Sequence, residues 1–241
     1  MNIRPKSHVP VEPLAATKNR ILVWDAPVRV FHWLIVLCFV GAYFTAEVDR
    51  WRPVHVALGY TVVGLVVFRF IWGLIGTRYA RFSSFVRGPR AVIRYAGSVL
   101  RGRSQPYIGH NPAGALAIVA LLLLALAVTA SGWATYSEIG DFEDVHEAAV
   151  NIMLVVIGVH LAGVLLDSWL HRQNLVGAMI TGRKLGRLEE GIRSARRSVA
   201  VLMLLAIMGF WWLRWHSESA ISTDSPTAAA AGHEGRDSDG D

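Results

Sequence analysis

The stretch DVHEAAVNIMLVVIGVHLAG, residues 144–163, decides the fold. Its charges lie within the first four residues, and the remainder is apolar enough to sit in a bilayer core, which takes about 20 residues of helix to cross. It nevertheless carries two histidines, His146 and His160, fourteen positions apart. A helix turns about 100° and rises about 1.5 Å per residue, so the second ring returns to within about 40° of the first, about 21 Å along the axis. Two imidazoles therefore look the same way from opposite ends of one membrane helix.

The rest of the chain agrees with a membrane reading. Of its 241 residues, 53% are hydrophobic and only 17% charged, which is too apolar for an ordinary soluble domain and too long for one hairpin. Five segments are predicted to span: 28–46, 54–75, 112–134, 145–167 and 198–215. The third contains AGALAIVALLLLALAVTASGW and is free of charge throughout. The fold class is therefore all-α, an integral membrane helical bundle. No short apolar core with a cleavage site precedes the first span, so no removable signal peptide is expected.

Lysine and arginine resist translocation and so orient the spans. Arg4, Lys6, Lys18 and Arg20 precede the first span, and the 76–111 and 168–197 loops carry seven basic residues each. These regions belong to the cytoplasm. The turn after span one has Arg50 and Arg52, and the 135–144 turn is acidic, with Glu138, Asp141, Glu143 and Asp144. The N-terminus is thus expected in the cytoplasm and the C-terminus in the periplasm. The net charge of +6 is accounted for by these basic loops, so nucleic acid is not an expected partner; the lipid bilayer is. Residues 76–107 suggest a short amphipathic helix on the inner surface. The segment from 216 to 241 is too poor in bulky apolar residues to fold.

One cysteine, Cys38, excludes an intramolecular disulfide, a cysteine-held iron–sulfur cluster and a covalent c-type haem. Histidine is costly in hydrocarbon and marks functional candidates. Once the spans are oriented, four histidines sort into two depths: His32 with His160 near the cytoplasm, and His55 with His146 near the periplasm. A noncovalent haem needs an axial ligand on each face, which imidazoles from separate helices of a bundle supply. Two levels imply two haems. Gly59, Gly158 and Gly163 would let a flat group approach the backbone. Zinc or copper fits less well, because ligands about 21 Å apart cannot share an ion and neither level offers a third donor.

Arg69 lies fourteen residues after His55 and so faces the same way at the inner level, where it would either pair with a haem propionate or extend to the inner headgroups. His110 and Asn111, ahead of Pro112, would cap the third span or line a propionate or quinone site. His171 has no partner at its level and reads as a surface residue.

The segments VWDAPVRVFHW, HVALGYTVVGLVVFRFIWG, YARF, GHNPAGAL and VHEAAVNIMLVVIGVHLAGV, in this order over about residues 20–185, together resemble the bacterial cytochrome b561 family, which includes the b-type cytochrome subunits of nickel–iron hydrogenases. The resemblance implies a four-helix core holding two noncovalent b haems on His32, His160, His55 and His146. It also implies electron transfer between membrane quinone and a redox partner outside the membrane, a c-type cytochrome or a hydrogenase subunit, as a component of a respiratory oxidoreductase. The organisation expected is a cytoplasmic segment 1–27, a four-helix di-haem domain 28–185, a basic linker with a fifth transmembrane helix 186–215 and an acidic tail 216–241. The competing reading is a small transporter or assembly protein that uses intramembrane His and Arg without haem.

Overall fold

The computed structural model describes residues 19–223, with side chains described through 216. Among these residues, five helices are long and apolar enough to cross a membrane. They are α1 (Ala26–Thr45), α2 (Arg52–Ile75), α5 (Pro112–Tyr136), α6 (Glu143–Leu170) and α8 (Arg197–Thr223). Between them lie the shorter α3 (Phe82–Phe85), α4 (Pro89–Leu100) and α7 (Leu175–Thr181), and two strands, β1 (Asn19–Leu22) and β2 (Arg183–Gly186).

The helix boundaries arise from local chemistry. Asp25 caps α1, with its side chain accepting from the Val28 amide, and Pro27 sits in the first turn. Asn111 caps α5 in the same way, accepting from Gly114 at 2.7 Å, with Pro112 behind it. Such residues satisfy amides that the helix itself leaves without an acceptor. Each predicted span falls within one of the five long helices to within a few residues, and the amphipathic segment expected on the inner surface is α4. The helix α8 runs to Thr223, into the segment that the sequence reads as unable to fold; the remainder of that tail lies outside the described residues.

Helices α1, α2, α5 and α6 pack in sequence, while α8 lies against α1 and α2. Their shared core holds Phe31, Cys38, Leu65, Val66, Leu122 and Met153, with Met203 contributed by α8. The Trp211 indole N–H donates to Thr61 at 3.1 Å and fastens α8 to α2. Much of the outer surface is apolar: on α6, Val155, Val159 and Leu165 are exposed and only Ala149 and Met153 are buried. Apolar residues all round a helix are what a lipid environment permits.

The strands are the departure from the sequence-level reading. β1 pairs antiparallel with β2, placing Asn19 opposite Gly186 and Leu22 opposite Arg183. The amides of Val23 and Trp24 continue the contact by donating to the Gly182 carbonyl at 2.8 and 3.0 Å. Gly182 adopts a φ of 79°, the left-handed conformation that glycine takes without strain, and so lets the chain turn from α7 into β2. The segment before span one is thereby bound to the segment after span four, beneath the helix ends.

Candidate functional site

At the outer level, His55 opens α2 and His146 opens α6. The Nδ1 of His55 lies 2.9 Å from the Ala42 carbonyl of α1, and the Nδ1 of His146 lies 2.9 Å from the Val128 carbonyl of α5. A carbonyl only accepts, so both rings donate from Nδ1 and each keeps its lone pair on Nε2. This is the arrangement that backbone carbonyls impose on metal-binding histidines. The ring centroids are 6.3 Å apart with planes at 75°. Imidazoles bonded to opposite sides of one metal at about 2 Å would have centroids about 6 Å apart, and the separation of this pair matches that distance.

Gly132 was not singled out by sequence reasoning. A Cβ there would stand 2.9 Å from the His146 Cε1 and 3.0 Å from its Nδ1, so the bare backbone of α5 is what lets the ring reach Val128. Around Gly59, one turn below His55, a Cβ would meet nothing within 4 Å, leaving room for a flat group beside the ring. The space around Gly158 and Gly163 is also open, but both residues are exposed on α6.

At the inner level, His32 and His160 are half-buried and close enough for their charges to interact. The His32 Nδ1 is buried without a hydrogen-bond partner. Arg69 does not extend to headgroups. It is 3% exposed, its guanidinium lies 4.8 Å from the Phe82 ring centre and 6.0 Å from that of Phe85, and its Nη1 has no hydrogen-bond partner. Packing against the aromatic segment 82–85 holds it inside.

His110 does not cap α5, a role that Asn111 fills. Its ring lies between Trp24, at 4.5 Å, and Phe85, at 4.6 Å, and its Nδ1 is buried without a partner. Burial, together with the nearby charges of Arg69 and Lys184, lowers its pKa to about 3, so the ring is neutral at physiological pH. His171, expected at the surface, is tucked in instead. Its Nδ1 meets Asp167 at 3.1 Å, one turn back on α6, and Ser104 lies 3.3 Å from its Nε2. Tyr95 of α4 donates to the same Asp167 at 2.9 Å. The sequence could not show these partners because they meet only when the 76–111 loop folds against α6.

Asp25 was also missed. It is 1% exposed, and besides the α1 cap it accepts from the Trp72 indole at 3.0 Å and the Thr77 hydroxyl at 2.6 Å. The signal was present in WDAP, an acceptor residue two positions ahead of a first-turn proline.

A family model described as prokaryotic cytochrome b561 matches residues 23–182. The chain belongs to this family. Among relatives of this cytochrome b561 is the probable Ni/Fe-hydrogenase 1 B-type cytochrome subunit of Escherichia coli (strain K12), 29% identical over 142 residues, or 48% of this chain and 60% of that protein. The probable Ni/Fe-hydrogenase B-type cytochrome subunit of Rhizobium leguminosarum bv. viciae is 22% identical over 71% of this chain and 91% of its own length. Its counterpart in Azotobacter vinelandii is 24% identical over 68% and 88%. No solved structure matches. With five membrane-length helices, this cytochrome b561 is a multi-pass bacterial membrane protein with an all-α bundle.

Proposed function

We propose that this cytochrome b561 holds two b haems at different depths and carries electrons across the bilayer between membrane quinone and a periplasmic redox protein. The observation that carries the reading is the outer pair: two rings 6.3 Å apart, each with Nδ1 committed to a backbone carbonyl and Nε2 left for a metal. His55 and His146 would hold the outer haem, His32 and His160 the inner one. Arg69 would take a propionate of the inner haem, with His110 lining the same end. Haem b, when bound, supplies reversible one-electron iron chemistry. The chain contributes ligands, rigid spacing and a low-polarity surround that tune it.

The basic loops support a cytoplasmic N-terminus and a periplasmic C-terminus. The names of the relatives support a hydrogenase subunit as partner, and a c-type cytochrome would meet the same need. Glu138, Asp141, Glu143 and Asp144 are all exposed beside the His146 end of α6, a surface that would steer a basic partner and lose that steering at high salt.

The test is a reduced-minus-oxidised spectrum of the purified protein with haem quantified per chain. Two b haems per chain are expected. A protein without haem absorbance would overturn the reading and favour a haem-free membrane role for these residues.

A further inference from the structure

Two buried cations at the cytoplasmic end of the bundle have, among the described residues, no carboxylate in direct contact. Arg69 is 3% exposed and Lys184, on β2, is 7% exposed. Among the described residues neither forms an ion pair with a carboxylate. The two carboxylates whose charges reach them, Asp25 for Arg69 and Asp167 for Lys184, act from a distance and make their hydrogen bonds elsewhere. Asp25 accepts from Val28, Trp72 and Thr77, and Asp167 is held by Tyr95 and His171. A buried cation without a directly paired anion is expensive, and an anion placed against it lowers that cost.

Both cations lie near the His110 segment. Lys184 donates to the Tyr107 carbonyl at 2.7 Å, three residues before His110 in the chain. Arg69 lies 6.0 Å from the ring of Phe85, which is itself 4.6 Å from that of His110. Arg69, Lys184 and His160 all lie near enough to His110 for a charge on any of them to act on it, so the cluster adjoins the inner histidine level. Arg69 and His110 each present a buried nitrogen with no partner there.

We infer that Arg69 and Lys184 form a two-cation cradle for the paired propionates of the inner haem, with Lys184 brought into place by the β1–β2 strand pair. The inference rests on the di-haem reading above. Two carboxylates on one edge of the macrocycle match two cations near a neutral ring. The strand pair then has a role beyond closing the fold, because it carries into the cytoplasmic end a charge that no membrane helix supplies. Lys184 is a positioning residue for the haem edge and a source of local positive potential.

The experiment is an optical redox titration of the full-length holoprotein as wild type, Lys184→Met and Lys184→Arg, with the inner transition identified as the one missing from a His160→Ala protein. Reduction adds an electron, so removing a nearby cation disfavours it. In Lys184→Met the inner transition should move to lower potential by about 59 mV, a tenfold weaker reduction equilibrium, while the outer one stays in place and Lys184→Arg stays near wild type. Loss of the inner haem in Lys184→Met but not in Lys184→Arg would support the cradle equally. Two unmoved transitions in Lys184→Met, or the same loss in both variants, would overturn it and leave the di-haem reading standing. A wild type without haem would overturn the di-haem reading itself.

Discussion

The imidazoles of His55 and His146 stand 6.3 Å apart, each turned by a carbonyl from the helix behind it: Ala42 of α1 for one, Val128 of α5 for the other. All four core helices therefore contribute to one small site, two with rings and two with backbone. A carbonyl cannot lose a proton or rotate away as a side chain can, so the orientation of both rings is built into the packing of the bundle.

Replacing either member of the outer pair should remove one haem and spare the other. His55→Ala and His146→Ala are each expected to lower haem content from two per chain toward one, as are His32→Ala and His160→Ala for the inner level. Haem quantification on purified variants checks this. Retention of two haems in any of the four would overturn that residue's assignment.

Gly132→Ala places a Cβ 2.9 Å from the His146 ring, closer than packed atoms tolerate. The ring must shift, and its bond to Val128 should lengthen or break. Groups that orient a metal ligand typically change metal affinity by about 10- to 100-fold when removed, so the outer haem should be released more readily on detergent dilution, with the inner haem unaffected. Equal retention of both haems would show that α5 yields enough to keep the ring in place.

Asp25→Ala should destabilise the packing where α1 begins and α2 ends without touching a proposed ligand. It removes the cap of α1, worth about 1 kcal/mol, and leaves the Trp72 indole and the Thr77 hydroxyl without their acceptor, at a cost of about 1–3 kcal/mol for each group left buried and unpaired. Asp25→Asn should be milder, since it keeps one acceptor oxygen for Val28 but turns an amide N–H2 toward donors. Thermal unfolding in detergent should rank them wild type, Asn, Ala.

His110 gives a pH signature. Its folded pKa is lowered to about 3, against about 6.5 in an unfolded chain. Between those values the unfolded chain binds the extra proton, so stability is full above about pH 6.5 and falls as the pH drops toward 3. Unfolding temperatures of wild type and His110→Gln between pH 7 and 5 should show a steeper decline for wild type. Parallel curves would show that the ring accepts its proton in place.

The membrane helices and the two histidine depths were legible in the sequence because both obey local rules, apolar length and helical spacing. What could not be read is how distant segments meet around Asp25, His110 and Lys184. Lys184 appeared as one basic residue among seven in its loop, and nothing in its neighbourhood announces that a strand far earlier in the chain will bury it. Asp167 and His171 share a helical turn, but Tyr95 and Ser104 reach them from another loop. Gly132 looked like one more small residue in a span. Its role depends on which ring the neighbouring helix presents.

The pairing of Asn19–Leu22 with Arg183–Gly186 also sets an order of assembly. The first strand is synthesised before any span, and its partner only after the fourth. During synthesis the early strand cannot form this pairing until all four core helices have been made. When the late strand pairs, it closes a loop that contains α1, α2, α5 and α6. A chain halted before Arg183 would have all four core histidines in its membrane helices and still lack the Lys184 charge that β2 carries.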